Sequence, residues 1–250
     1  MKIRAIKTKA IILGDDIFSI LNNAIPKLTD NCVVAVTSKI ISICEGNIVK
    51  IGTRDKQELM AEQAELFLPP QYSAYGFTLT MKHSVLIPSA GIDESNGNGY
   101  YVLWPRNPQN TANKIREHLV KKHNVKNIGV IIVDSKTTAL RLGVTGVAIV
   151  HSGFEALNNY IGKPDIFNRP FKVEKVNVSD GLAASAVLVM GEGNEQTPIV
   201  IIDDVPFVHF QQRNPTKEEL DILKISIDED LYSPLLKNVP WEKGGAFSVV

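Results

Sequence analysis

The sequence predicts a mixed α/β fold of the α+β type, and three observations support this prediction. Segments with strand-like and helix-like patterns alternate along the whole chain. Residues 127–133 form a continuous apolar run, which is typical of a central strand covered on both faces. The 250 residues contain no long linker, internal repeat or low-complexity tract. We therefore expect a compact molecule without an obvious boundary between domains.

In the first part of the chain, capping residues and prolines set the predicted limits of the elements. Asp55 and Glu58 have the spacing of an N-cap and its capping-box partner, so they are expected to begin a helix. The predicted order is a helix at 16–28, a strand at 32–38, extended or turning structure at 40–50, a helix from Asp55 to the prolines at 69 and 70, a short apolar run at 84–87 and a turn-rich loop at 90–99.

In the second part of the chain, strands and helices continue to alternate. Asp180 is expected to cap a helix, and Thr216 with Glu219 has the spacing of a second capping box. The predicted order is a helix at 108–123, the central strand at 127–133 ending abruptly at Asp134, a strand at 143–150, a helix from Asp180 that stops at 191–194, a strand at 199–203 and a helix from about 216.

The composition of the chain indicates which binding partners and which cellular compartment to expect. Lysine plus arginine equals aspartate plus glutamate at 27 each, so we expect neither a nucleic-acid nor a membrane partner. No apolar run approaches the roughly 20 residues that span a bilayer, and the run at 10–13 is too short for a signal-peptide core. We expect a cytoplasmic protein in which Cys32 and Cys44 are buried thiols, with a disulfide between them as the alternative.

Asp134, which follows the apolar run at 127–133, is the strongest single indication of a functional site in the sequence. A carboxylate at the exit of a buried strand stands at the edge of the sheet, where mixed α/β folds bind their ligands. There it could hold a divalent cation against phosphate oxygens. The alternative is that Asp134 and Ser135 only begin a turn.

The loop at 90–99 offers a second set of oxygen ligands. Asp93 is followed by Glu94, Ser95 and Asn96, and glycines flank the group. Such oxygens suit Mg²⁺ or Mn²⁺, and the glycines let the backbone approach a phosphate. The alternative is an Asx-turn, because Asp, Ser and Asn all favour turns.

Two further segments could contribute to such a site. Glu192 lies between Gly191 and Gly193 and could be an additional oxygen ligand, although glycine at the end of a helix is also typical of a plain C-cap. Lys39, which follows Ser38 at the end of the predicted strand, could bind a phosphate or could be a solvated surface lysine.

Motif searches exclude several common classes of enzyme. The sequence contains no Gly-x-x-x-x-Gly-Lys-Ser/Thr phosphate loop, no Gly-x-Gly-x-x-Gly dinucleotide motif and no Gly-x-Ser-x-Gly nucleophile elbow. Its five histidines show no metal-binding spacing, so we do not expect a zinc site.

Five blocks of sequence, taken together, resemble the coenzyme F420-0:L-glutamate ligase family, the gamma-glutamyl ligases. The most specific block is Ala-Gly-Ile-Asp-Glu-Ser-Asn at 90–96. The others are Gly-Asp-Asp-Ile at 14–17, Val-Thr-Ser-Lys-Ile-Ile-Ser at 36–42 with Glu-Gly at 45–46, Val-Asp-Ser at 133–135 with Arg141, Gly143 and Ala148, and the segment 180–192. The resemblance covers roughly residues 8–205.

For the architecture, the resemblance implies a gamma-glutamyl-ligase-like fold with mixed sheets and flanking helices, in an intertwined homodimer. It implies a ligase-like domain at 1–205, which could divide into two lobes near 80–90 and 180–190. Residues 206–250 would form a C-terminal extension with a helix from about 216.

The resemblance also implies roles for individual residues. Divalent-metal ligands are expected at Asp93, Asp134, Ser135 and Glu192, and Asp93, Asp134 and Arg141 are expected to be catalytic. Guanine-nucleotide contacts are expected at Thr8, Lys9, Ala10, Ile11, Ser38, Lys39, Asn96, Met190, Gly191, Gly193 and Asn194.

The implied activity is formation of an amide bond between L-glutamate and a small-molecule carboxylate. GTP or ATP, with Mg²⁺ or Mn²⁺, would drive the reaction through an acyl phosphate. The acceptor is expected to be a coenzyme F420 precursor or a related acid, because Thr138 and Ile43 stand where the family usually has Arg and Lys. The alternative is a protein that keeps the fold and binds a nucleotide or metabolite without catalysis.

Overall fold

A computed structural model describes residues 1–248, and its largest element is a five-stranded mixed sheet. The strands of this part of the chain are β1 (Lys2–Ile6), β2 (Cys32–Thr37), β3 (Ile48–Lys50), β4 (Leu66–Leu68), β5 (Leu79–Lys82), β6 (Val85–Pro88), β7 (Tyr100–Val102), β8 (Ile128–Thr137), β9 (Val144–Ser152), β10 (Leu157–Asn159), β11 (Lys175–Asn177), β12 (Ile199–Asp203) and β13 (Glu242–Lys243). The main sheet has the order β1-β12-β2-β8-β9, in which β2 and β8 are parallel and the other neighbours antiparallel. The predicted mixed α/β class is confirmed.

Helices alternate with these strands. They are α1 (Ile17–Ala24), α2 (Ser38–Cys44), α3 (Lys56–Gln63), α4 (Pro108–His123), α5 (Val178–Met190), α6 (Lys217–Asp221) and α7 (Ser233–Leu236), with 3₁₀ turns at Pro70–Tyr72, Ser89–Gly91 and Gly245–Ser248. Among residues 1–248, none of the helices combines the length and the apolar composition that crossing a bilayer requires.

The main sheet is buried on both faces because its strands are apolar at successive positions. Val34 and Ile132 pack on one face with side chains from α1, α2 and α4. Val33 and Val133 point to the opposite face and pack against α5. β8 lies between β2 and β9 with both faces covered, as the apolar run predicted.

The end of β8 differs from the prediction. The strand does not stop at Asp134 but continues to Thr137, pairing Asp134 with Val147 in β9. The register shifts between Ile132 and Val133, and the residues from Asp134 onward are the less buried ones. Polar residues after an apolar run predict the end of a strand, whereas here they form the outer part of a long hairpin with β9.

Two predicted helices are shorter than expected. The first ends at Ala24, because Ile25 precedes Pro26 and takes an extended conformation. The helix after Asp55 ends at Gln63, and strand β4 occupies part of the stretch before the two prolines. The Asp55 side chain does accept hydrogen bonds from the backbone N–H groups of Gln57 and Glu58, so this N-cap is confirmed.

The prediction of extended structure at 40–50 was wrong for its first half, which belongs to helix α2. Ile40, Ile41 and Ile43 favour strands by intrinsic propensity, but their burial within the fold overrides it. The cap of α5 is Asn177 and not Asp180, which lies in the first turn and accepts a hydrogen bond from the backbone N–H of Ala148.

The C-terminal segment returns to a small four-stranded sheet of order β13-β4-β5-β6. The predicted capping box of Thr216 and Glu219 is confirmed at the start of α6, which ends already at Asp221. Residues 249–250 of the predicted extension lie outside the described residues. Cys32 and Cys44 are free thiols, the first buried and the second half-buried.

Candidate active site

A cavity of about 520 Å³ lies where the end of β2, the outer part of β8 and the end of α5 come together. This volume is in the range of small-molecule sites. Its lining residues come from five separate segments of the chain: Thr8, Lys9, Ala10, Ile11, Ile12, Thr37, Lys39, Ile40, Ile43, Asp93, Asn96, Asn98, Asp134, Ser135, Val187, Met190, Gly191, Glu192, Gly193, Asn194, Glu195, Gln196, Thr197 and Pro198.

Asp93 is fixed at the cavity by its backbone and by both carboxylate oxygens. Its backbone exchanges two hydrogen bonds with Val102 at the end of β7. Its Oδ1 accepts hydrogen bonds from the backbone N–H (2.8 Å) and the hydroxyl (2.9 Å) of Ser95, and its Oδ2 lies 2.5 Å from Lys39 Nζ. The Asx-turn considered as an alternative is therefore present, but it uses only one of the two oxygens.

Lys39 lowers the pKa of the Asp93 carboxyl. Burial acts to raise the pKa of the Asp93 carboxyl, but hydrogen bonds from Lys39 and Ser95 and the charge of Lys39 outweigh it, so the pKa lies below its usual value. Lys39 Nζ also donates to the backbone carbonyl of Ser95 at 3.0 Å. Asp93 is thus an anion that an ammonium group partly neutralises.

Asp134 is held through both oxygens by other parts of the fold. Its Oδ1 accepts a hydrogen bond from the backbone N–H of Ser135 (2.9 Å), and its Oδ2 accepts one from the indole Nε1 of Trp104 (2.5 Å). Burial raises the pKa of Asp134 to about 6, and the negative charge of Asp93 acts in the same direction. Both predicted carboxylates, Asp93 and Asp134, therefore line the same cavity.

Ser135 and Glu192 contact each other at the same cavity. Ser135 Oγ donates to Glu192 Oε2 at 3.4 Å. Burial raises the pKa of Glu192, the charges of Asp93 and Glu195 add to this effect, and the Ser135 hydrogen bond with the charge of Lys39 offsets it only in part. Glu192 lines the same cavity as Asp93 and Asp134, so it adds negative charge to a site that favours a cation.

The loops around the cavity are connected by hydrogen bonds. Asn96 Nδ2 donates to the backbone carbonyl of Gly193 at 2.8 Å, which joins the loop of Asp93 to the loop after α5. Thr197 Oγ1 donates to the carbonyl of Met190 at 2.6 Å, and the backbone N–H of Thr8 donates to the carbonyl of Gln196 at 2.9 Å. These bonds bring the chain before Gly14 next to the loop after α5.

Most of the predicted site residues meet at this cavity, and two do not. Ser38 is buried in the first turn of α2 and does not line the cavity. Arg141 lies in the exposed connection between β8 and β9, where its backbone N–H bonds to the carbonyl of Thr138. Within a single copy of the described chain, Arg141 is thus not brought to the cavity, and its catalytic role stays a prediction.

Thr37 and Trp104 belong to the site but are not among the residues predicted from the sequence. Thr37 ends β2, which is parallel to β8, so the rule that ligands bind at the carboxyl ends of parallel strands could have found it. Trp104 follows an apolar strand and has the pattern of an ordinary core residue. Nothing in the local sequence pattern indicates that its N–H reaches Asp134.

The chemistry of the donor atoms fits a hard divalent cation. In the arrangement that residues 1–248 adopt, no three His, Cys, Asp or Glu side chains are grouped to hold a metal ion together. The carboxylates of Asp93 and Asp134 nevertheless line one cavity with the hydroxyl of Ser135, and oxygen donors of this kind suit Mg²⁺ or Mn²⁺. The ammonium of Lys39 bonds to the Asp93 oxygen that a cation would use, so Lys39 would have to move when a metal binds.

Comparisons with known proteins all identify the same family of ligases. Residues 5–204 match the family model described as F420-0:Gamma-glutamyl ligase. Proteins named "Coenzyme F420:L-glutamate ligase" are similar to this chain. One from Methanococcus maripaludis strain C7 is 42% identical over 125 residues, which are 50% of each chain. The one from Methanothermobacter thermautotrophicus is 30% identical over 84% of this chain and 93% of its own, and the one from Archaeoglobus fulgidus is 31% identical over 76% and 81%.

Proposed function

Because the chain belongs to the F420-0:Gamma-glutamyl ligase family, we propose that it joins L-glutamate to a small-molecule carboxylate through an amide bond. The proposed energy source is GTP or ATP, with Mg²⁺ or Mn²⁺ as the cation. The proposed acceptor is a coenzyme F420 precursor or a chemically related acid.

One observation supports this proposal more than any other. Asp93 and Asp134, which come from distant parts of the chain, line the same cavity as Lys39 and the loop after α5. A pair of carboxylates beside a lysine suits a metal-bound triphosphate, because carboxylates bind the cation and an ammonium binds phosphate oxygens.

The proposed mechanism assigns positioning roles to the chain's own residues. Asp93 and Asp134 would hold one cation, and Ser135 with Glu192 would hold a second. Divalent cations at such places neutralise phosphate charge during transfer. Lys39 would leave Asp93 and bind phosphate oxygens, while Asn96 keeps the two loops together through the carbonyl of Gly193.

In the chemical steps, the acceptor carboxylate attacks the γ-phosphorus of the nucleotide, and the nucleoside diphosphate leaves. The resulting acyl phosphate is attacked by the α-amine of L-glutamate, which gives the amide and inorganic phosphate and releases the amine proton. Holding the reacting groups next to one another at the site favours both steps, because they no longer have to meet from solution.

The acceptor can be identified by product mass. When the protein is incubated with L-glutamate, GTP or ATP, Mg²⁺ and a set of candidate acids, we expect one acid to gain the mass of a glutamyl residue. The gain should require the nucleotide and should disappear with a chelator. Nucleotide hydrolysis or binding without any glutamyl product, over all acids tested, would contradict the proposal and favour a binding protein.

We further propose that the chain works as a homodimer in the cytoplasm. Leu140 and Leu142, at the connection between β8 and β9, are almost fully exposed at 102% and 98%, and Leu188 of α5 is 82% exposed. Apolar side chains that project in this way are typical of surfaces that another chain covers. A second copy is the proposed partner.

The dimer has a direct test in solution. Sedimentation of the protein at micromolar concentration should give the mass of two chains, and a variant carrying both Leu140→Ser and Leu142→Ser should sediment as a monomer. Leu231→Ser is a matched control, because Leu231 is 86% exposed in the C-terminal segment. A wild-type protein that sediments as a monomer would contradict the proposal.

A further inference from the structure

Trp104 is unusual among the buried residues because its polar atom reaches the candidate active site. The side chain is 2% exposed and packs in the core beneath the main sheet. Its indole Nε1 donates a hydrogen bond of 2.5 Å to Asp134 Oδ2. A buried indole N–H needs a hydrogen-bond acceptor, and here that acceptor is a carboxylate of the cavity.

The position of the indole is determined from several sides. Gly91 faces the N–H edge so closely that a Cβ at this position would lie 2.2 Å from Trp104 Nε1. The His83 ring stacks on the indole, with 5.8 Å between ring centroids and 8° between the planes. Lys82 Nζ lies 5.4 Å from the ring centroid, and Asn47 Nδ2 donates to the Trp104 backbone carbonyl at 2.6 Å. The N–H therefore has little freedom to point elsewhere.

Trp104 also connects Asp134 to the segment that carries Asp93. Val102 exchanges two backbone hydrogen bonds with Asp93, and Trp104 follows two residues later. The same stretch of chain thus fixes the backbone of one carboxylate and the side chain of the other. A displacement of this stretch would change the distance between the two.

The orientation of the Asp134 carboxylate is fixed by the hydrogen bonds that its two oxygens accept. Each oxygen can accept about two hydrogen bonds. Ser135 N–H occupies one acceptor position on Oδ1 and Trp104 N–H one on Oδ2. With both oxygens anchored, the carboxylate plane cannot rotate, and the remaining acceptor positions keep a fixed direction.

We propose that Trp104 is a positioning residue of the active site: its indole N–H sets the orientation in which Asp134 binds the divalent cation. The inference rests on the proposed function, because it takes Asp134 as a metal ligand. Partners that orient metal ligands typically change metal affinity by about 10–100-fold when they are removed.

The test compares two Trp→Phe variants by Mn²⁺ binding, which is measured without turnover from the electron paramagnetic resonance signal of free Mn²⁺. Trp104→Phe keeps a ring for His83 to stack on but loses the N–H, so its dissociation constant for Mn²⁺ should rise by about 10–100-fold. Trp241→Phe is the matched control: Trp241 Nε1 donates to the carbonyl of Leu236 in the C-terminal segment, and its loss should leave Mn²⁺ affinity unchanged.

A second measurement does not depend on the folding of a Trp104 variant. In ¹⁵N-indole spectra, the resonance that remains in Trp241→Phe belongs to Trp104, and it should move when Asp134 is replaced by asparagine. Unchanged Mn²⁺ affinity in a folded Trp104→Phe variant would overturn the positioning role. So would a Trp104 indole resonance whose chemical shift is the same with and without Asp134→Asn. Wild-type protein that binds no Mn²⁺ would overturn the metal site itself, and this role with it.

Discussion

Replacing Asp134 with asparagine is expected to abolish metal-dependent nucleotide turnover, with a loss on the order of 10³-fold. Removing a single fixed electrostatic group from an active site typically costs 10²–10³ in rate, and here the lost group also carries the charge that holds the cation. Asparagine keeps the shape of the side chain but is neutral. The measurement is release of inorganic phosphate from GTP or ATP in the presence of acceptor and L-glutamate.

The same substitution should not damage the fold. Burial raises the pKa of Asp134 from 3.8 to about 6, so the ionised carboxylate opposes folding above pH 6, and this penalty disappears below about pH 4. At pH 7 the penalty is roughly 1–3 kcal/mol, which asparagine removes, while the loss of one hydrogen bond costs about 1 kcal/mol. The thermal midpoint of the variant should therefore equal or exceed that of the wild type.

Asp228→Asn provides the control for this experiment. The Asp228 side chain is 79% exposed and pairs with Lys237 on the surface, so its neutralisation should change neither turnover nor stability appreciably. If Asp134→Asn turned over nucleotide at the wild-type rate, Asp134 would have no part in the mechanism.

Replacing Lys39 with methionine is expected to change nucleotide and metal affinity in opposite directions. Nucleotide binding should weaken by about 10–100-fold, because a hydrogen bond to a charged group contributes about 1.5–3 kcal/mol. Mn²⁺ binding without nucleotide should become tighter, because the ammonium that lies 2.5 Å from Asp93 Oδ2 no longer competes with the cation. Titration calorimetry with each ligand alone measures both effects.

Lys56→Met is the control that distinguishes the loss of Lys39 itself from a general loss of positive charge near the site. Lys56 Nζ lies 2.9 Å from Glu94, the residue after Asp93, but Lys56 does not line the cavity. Its replacement should leave both affinities close to the wild-type values. A Lys39→Met variant in which both affinities fall together would contradict the competition for Asp93.

The sequence predicted those elements whose limits are set by local chemistry. Helix α4 has the predicted bounds because Asn107 caps it and Asn124 ends it in the left-handed conformation. Where tertiary packing decides, the prediction failed. The isoleucines of α2 favour a strand by propensity, and the polar outer half of β8 has no apolar face that would mark it as a strand.

The site could be predicted only in part, for a similar reason. For both Asp93 and Asp134, the local sequence is also compatible with a simple turn. Only the resemblance to a family predicted that the two residues belong to one metal site. Trp104 carries no signal in the local pattern, because the direction of an indole N–H depends on how Gly91 and His83 pack around it. A local sequence pattern indicates which residues could bind a ligand, but not which buried neighbours orient them.

The central claim is that Asp93 and Asp134 hold the same cation beside a nucleotide. Its most direct test is the anomalous difference map of a crystal soaked with Mn²⁺ and a non-hydrolysable GTP analogue. We predict one Mn²⁺ peak within bonding distance of both carboxylates and of a phosphate oxygen, with Lys39 moved from Asp93 to the phosphates. A nucleotide bound with no Mn²⁺ between these carboxylates, and with the Lys39–Asp93 ion pair intact, would contradict the account.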